Sequence, residues 1–136
     1  MGGRLNRIIG LTGTPGTGKK SVGRRLSKLL RYNYLDLNQA ALQSGAIIGE
    51  DVHGFIANPK RLRLYVKKVV KDERVIVVGH LLPSVFTRGE VDFVGVLRCS
   101  PLELERRLGE RNYSEEKIRQ NVEAEILDLC LYEALR

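Results

Sequence analysis

The segment Gly13-Thr14-Pro15-Gly16-Thr17-Gly18-Lys19 constrains the fold more than any other part of the chain. Its glycines let the backbone bend tightly, so that successive N–H groups turn inward and form a nest for an anion. The flanking sequence fits that use. Arg7–Thr12 is a short apolar run closed by Gly13, the pattern of a buried strand. Lys19–Leu30 reads as a helix, with Val22, Leu26, Leu29 and Leu30 on one stripe and Arg24, Arg25 and Lys28 on other faces. A strand, a glycine-rich turn and a helix in that order place the positive end of the helix dipole at the nest. Lys19 then stands where its ammonium reaches the outer phosphates of a nucleotide.

The rest of the chain continues the alternation. Tyr34–Leu37 reads as a second strand, Pro59–Lys71 as a helix with Leu62, Val66, Val69 and Val70 on its apolar stripe, and Val75–Val78 as a strand covered on both faces. Val91–Leu97 is a further strand, interrupted by Gly95. Pro101 opens a helix running to about Arg111, and Ser114 caps a last helix with Ile118, Val122, Ile126 and Leu129 on one stripe. Residues 38–58, with Gly45, Gly49 and Gly54, are expected to break into short pieces. The order predicts an α/β fold: one domain over residues 1–136, a parallel sheet with right-handed crossovers and helices on both faces. Ligands of such sheets sit beyond the carboxyl ends of the strands, where the glycine-rich turn also lies.

Composition narrows the partners. The 136 residues carry a net charge of +7, which favours polyanions such as nucleotides or RNA. No apolar run approaches the roughly 20 residues that span a bilayer. The start of the chain has no signal-peptide cleavage region, and Asn6 occupies the place where a myristoylation motif wants Ser or Thr, so a cytoplasmic protein without membrane attachment is expected. Cys99 and Cys130 fit neither a disulfide framework nor a metal-ligand spacing and read as reduced core residues.

The site is expected to bind ATP through Gly13, Thr14, Pro15, Gly16, Thr17, Gly18, Lys19, Lys20 and Ser21. Lys20 departs from the P-loop pattern, because Ser or Thr at that position would bind magnesium. The ion is therefore expected through water or at a weak site, and no residue is assigned as its ligand. No carboxylate ends the strand Val75–Val78; Gly79 and His80 follow, which makes His80 the polar group facing the ligand. Glu50 or Asp51 are candidates for the missing acid. Arg107, Arg111 and Arg119, around Tyr113 and Lys117, form either a solvated basic face or a phosphate clamp.

These residues amount to a resemblance. Gly13–Ser21, Val75-Ile76-Val77-Val78-Gly79-His80, Leu97-Arg98-Cys99-Ser100-Pro101, Arg107-Leu108-Gly109-Glu110-Arg111-Asn112-Tyr113 and the run from Lys117 to Ile126 occur in order. The chain resembles, over nearly its whole length, the small adenylate-kinase-like P-loop family of archaea and eukaryotes linked to maturation of the small ribosomal subunit. That resemblance implies a nucleoside monophosphate kinase-like fold, transfer of phosphate from ATP to a nucleoside monophosphate such as AMP, and ATP hydrolysis. It also implies transient binding to a small-subunit ribosomal protein on pre-ribosomal particles, in support of rRNA 3′-end processing. By the same resemblance, residues 35–57 would be a monophosphate-binding region and residues 110–120 a short lid with Arg111 on ATP; Lys19, His80 and Arg111 are the expected catalytic residues. Adenylate kinases often carry Gly-Thr after the loop lysine, so Lys20-Ser21 departs less from that family than from the general P-loop pattern. Eukaryotic relatives usually have an acid two residues before the histidine, where Val78 stands here. The family usually continues with one more strand and helix, so the sheet is expected to end in an open edge. The alternative is a nucleotide-dependent assembly factor that hydrolyses ATP slowly and has little kinase activity.

Overall fold

The apolar alternation along the strands divides the interior into two layers. In the computed structural model, which describes residues 7–51 and 54–135, four strands form one sheet: β1 (Arg7–Gly13), β2 (Asn33–Asp36), β5 (Arg74–Val78) and β6 (Phe93–Leu97). The order is β2-β5-β1-β6 and every pairing is parallel. Ile8, Val75 and Val77 face one layer, which they share with Leu37, Ala40, Leu62, Val66, Leu82 and Val85. Leu11, Ile76 and Val78 face the other, against Leu26, Tyr32 and Tyr34. Helices thus cover both faces, as the βαβ pattern requires.

The helices of the first layer are α2 (Leu37–Ser44), α3 (Pro59–Val69) and the single turn α4 (Leu82–Val85). Between α2 and α3 the chain forms an antiparallel hairpin, β3 (Ile47–Asp51) with β4 (Gly54–Ala57), separate from the main sheet. The stretch expected to break into short pieces is therefore a helix and a hairpin. A 3₁₀ turn at Arg88–Glu90 precedes β6. β6 begins at Phe93, two residues later than its composition suggests, because Asp92 is tied to β1: the Ile8 amide donates to the Asp92 carboxylate at 2.8 Å. β6 is an outer strand of the sheet, with Phe93 64% exposed. The chain continues as α5 (Pro101–Glu110), α6 (Glu115–Ile126) and α7 (Leu129–Leu135).

Three helical stripes differ from expectation; on α3 the difference is Val69 alone, which is exposed while Leu62, Val66 and Val70 are buried. Helix α1 (Lys19–Leu30) buries Lys19, Gly23 and Ser27 rather than Val22, Leu29 and Leu30, which are exposed. Gly23 decides the matter: a Cβ built there would lie 2.6 Å from Val78 Cγ2, so the missing side chain lets the helix lie close on the sheet at that face. The stripe Ile118–Leu129 is not one helix. Asp128 adopts a left-handed φ of 53°, α6 ends before it, and Ile126 and Leu129 are exposed. The buried side of α6 is Asn121, Ala124 and Glu125, two of them polar and each held by a hydrogen bond.

Candidate phosphate-binding site

The loop between β1 and α1 lies at the carboxyl end of the sheet, where the alternation placed it. Gly16 and Gly18 have φ of 93° and 95°, backbone that only glycine adopts without strain. Gly18 caps α1 without a side chain, and the first turn of α1 carries no acidic residue, so no carboxylate of that turn offsets the positive end of the helix, which suits it to an anion. Thr17 closes the bend, its hydroxyl donating to the Thr14 carbonyl at 2.7 Å.

The loop is pinned from outside by residues distant in sequence. Arg107 on α5 donates to the Gly16 carbonyl at 3.1 Å and is itself aligned by Glu103, 3.1 Å from its Nε. Leu104 and Leu108 of the same helix lie where a Cβ on Gly16 would intrude, at 2.9 and 3.1 Å. From α6, the buried carboxylate of Glu125 accepts from the Thr14 hydroxyl at 2.8 Å through one oxygen and from the Cys99 amide at 2.6 Å through the other. Cys130 Sγ of α7 lies 3.8 Å from Thr14 Oγ1. Arg107 therefore positions the loop rather than clamping phosphate.

Gly16, Gly18, Lys19, Lys20, Ser21 and Arg111 line a cleft of about 50 Å³ at the loop. The structure thus brings Arg111, at the end of α5, to the same cleft as the loop lysine, while Arg119 lies exposed along α6 outside it. Lys117 instead sits over the Tyr113 ring at 5.0 Å. Lys19 is 8% exposed, and its pKa falls from 10.5 to about 8. Burial is the main cause; Lys20 and Arg111 lower it further, against upward pulls from Cys130 and Asp36. Burial also pushes the Cys130 thiol up, which disfavours the thiolate through which it would support the Lys19 charge. The cleft is a concentration of positive charge that a phosphate chain would relieve.

His80 is half-buried just past β5, where the Gly79 amide donates to the Leu11 carbonyl at 3.0 Å. It stands at the same end of the sheet as the loop but does not line the cleft. The side chains of Glu50 and Asp51 lie outside the described residues. The carboxylate that sequence reasoning passed over is Asp36. It ends β2 in register with Val78, is 8% exposed, caps α2 by accepting from the Asn38 amide at 2.9 Å, and lies 3.4 Å from the Lys20 ammonium. The signal was available: an Asp at a strand end, before an apolar and amide-rich run, is both an N-cap and a group on the ligand side of the sheet.

The phosphates of a nucleotide fit this site, since they would meet the nest, Lys19 and Arg111. A protein-held magnesium ion fits it poorly. Position 20 offers an ammonium, position 78 a buried apolar side chain, and among the described residues no three His, Cys, Asp or Glu side chains gather in a metal-binding group.

Comparison with known proteins agrees with the geometry. A family described as an AAA domain matches residues 9–128. A protein of Pyrococcus abyssi named "Putative adenylate kinase" is 41% identical over 129 residues, covering 94% of this chain and 68% of that protein. A protein of the same name from Archaeoglobus fulgidus is 41% identical over 128 residues, covering 94% and 66%. Among solved structures, shikimate kinases from Acinetobacter baumannii and Bacteroides thetaiotaomicron superpose with TM-scores of 0.61 and 0.62 over 96% and 95% of this chain, and 80% and 82% of theirs. At 17% and 18% identity these two speak for the fold alone, that of the P-loop kinases. No helix among the described residues is long and apolar enough to cross a membrane. With its loop in place between β1 and α1, the chain belongs to the AAA-domain P-loop family, among its adenylate-kinase-like members.

Proposed function

We propose that the chain transfers the γ-phosphoryl group of ATP to a nucleoside monophosphate, with AMP as the expected acceptor. The observation that carries this reading is the buried Lys19 ammonium, sharing one cleft with Lys20 and Arg111 at a loop held rigid by Arg107 and Glu125. Phosphoryl transfer asks for positioning and charge more than for covalent chemistry. The acceptor's phosphate oxygen attacks the γ-phosphorus, the bond to the bridging oxygen breaks, and charge moves onto the leaving ADP. Lys19 and Arg111 neutralise that charge, and the fixed loop amides do so without reorganising. Residues 35–57, which include α2, capped by Asp36, and the β3–β4 hairpin, are assigned to the acceptor.

His80 is assigned to water rather than to transfer. It follows the strand end beside the loop, and an imidazole can orient a water near neutral pH. An acceptor phosphate needs no such base. ATP hydrolysis is thus a side path of the same site, and a role on ribosomal particles rests on the sequence resemblance together with the basic net charge.

The test is ADP formation from ATP by the purified chain with and without AMP. Stimulation by AMP, with two ADP formed per ATP consumed, is the expected result, and His80→Ala should lower the AMP-independent rate more than the transfer. Hydrolysis indifferent to AMP would favour the assembly-factor reading and refute the assignment of an acceptor site.

A further inference from the structure

P-loop proteins commonly hold magnesium through a hydroxyl at the residue after the loop lysine, and the ion bridges and neutralises the outer phosphates. Here that residue is Lys20, the second residue of α1, lining the cleft with Lys19 and Arg111. Its ammonium is not simply turned to solvent: it reaches Asp36 Oδ2 at 3.4 Å. Asp36 is a fixed anchor, buried at the end of β2 and tied to the Asn38 amide. Because β2 pairs with β5 so that Asp36 faces Val78, the lysine arm bridges from α1 toward the strand ends where a metal-binding acid would otherwise stand. A cation at this place repels a second one, and the one described carboxylate beside it is engaged by that lysine.

We propose that the tethered Lys20 ammonium takes the place of a protein-held magnesium ion, so that this chain binds the phosphates of a nucleoside triphosphate with little dependence on divalent metal. The proposal rests on the reading of the cleft as an ATP site. Lys19 and Arg111 supply part of the charge and Lys20 the share that the metal supplies elsewhere. Asp36 keeps the arm extended across the strand ends, and a half-exposed side chain there is free to shift onto phosphate when ATP enters.

Calorimetric titration of the full chain with ATP, once in excess magnesium and once in excess EDTA, tests this directly. The wild-type dissociation constants should agree within about threefold, less than 1 kcal/mol. Lys20→Thr, which restores the hydroxyl and removes the charge, should weaken binding in EDTA by about tenfold or more and regain most of the loss in magnesium. Wild-type binding that weakens tenfold in EDTA overturns the proposal, as does a Lys20→Thr chain that binds equally well in both. The wild-type pair of titrations decides the matter even if the variant does not fold. Absence of ATP binding in both buffers would instead overturn the proposed function.

Discussion

Replacing Lys19 by Met should stabilise the unliganded protein while removing ATP binding. The substitution keeps the apolar stem and removes a charge that is buried without enough compensation. A pKa of about 8, in place of 10.5, corresponds to on the order of 3 kcal/mol lost by keeping the ammonium charged in the folded chain. For a domain of this size, that is a rise of about 10 °C in melting temperature. The pH dependence separates this cause from improved packing. Between about pH 8 and 10.5 the unfolded chain binds more protons than the folded one, so wild-type stability gains as pH rises through that window. The penalty is fully present below pH 8 and relieved above 10.5. Urea unfolding of both proteins at pH 7 and pH 10 measures it: the Met variant should be clearly more stable at pH 7, and the gap should narrow markedly at pH 10. A variant less stable than wild type at pH 7, or a gap that does not change with pH, would refute the claim that the lysine is held in the cleft at the expense of stability.

The same group predicts how binding responds to pH: phosphate raises the Lys19 pKa, so ATP affinity should fall about tenfold between pH 7 and pH 9, as measured by calorimetry; a flat profile would mean that the lysine does not meet phosphate. Arg111→Ala should lower the rate of ADP formation by about tenfold or more and weaken ADP binding much less, because its charge is needed where negative charge develops; equal small effects on both would mark it as a solvated arginine. Glu125→Leu should cost about 2 kcal/mol in urea unfolding, since it removes the acceptor of both the Thr14 hydroxyl and the Cys99 amide and leaves a main-chain N–H without its partner; an unchanged midpoint would show that the carboxylate does not hold the loop.

What was legible in the sequence was local. The loop, its strand and its helix follow from glycine spacing and an apolar run, and Ser100 and Ser114 cap α5 and α6 as their types suggest. What was not legible depends on which residues the fold brings together. Periodicity alone assigns Val22, Leu29 and Leu30 to the core face of α1, yet the sheet accepts the face with Gly23 because contact distance outweighs side-chain hydrophobicity there. Glu125 looks like one more charge on a polar helix until the 111-residue separation to Thr14 closes in space. Asp36 and Val78 share a level in the sheet only through the parallel register of β2 and β5, so an acid missing from one strand end and present at its neighbour could not be related from the sequence.

The same contacts limit how residues 110–120, proposed as a lid, can move. Arg111 closes α5, and α5 is fastened to the loop four residues earlier by Arg107 and below it by Leu104 and Leu108. The far side of the region enters α6, which Glu125 ties to Thr14 of the loop at 2.8 Å. Both ends of this proposed lid are thus anchored to the glycine-rich loop. Freedom is left to the turn between the helices, where Asn112 adopts a left-handed φ of 62°. A nucleotide entering the cleft meets Arg111 already at its edge, so closure asks for a rotation of the side chain and a small adjustment of that turn rather than the swing of a domain. A loop braced in this way loses little entropy when phosphate binds, and the strain of crowding Lys19, Lys20 and Arg111 together is released at the same moment. Stability given up in the empty protein is thereby returned as affinity for a polyanion.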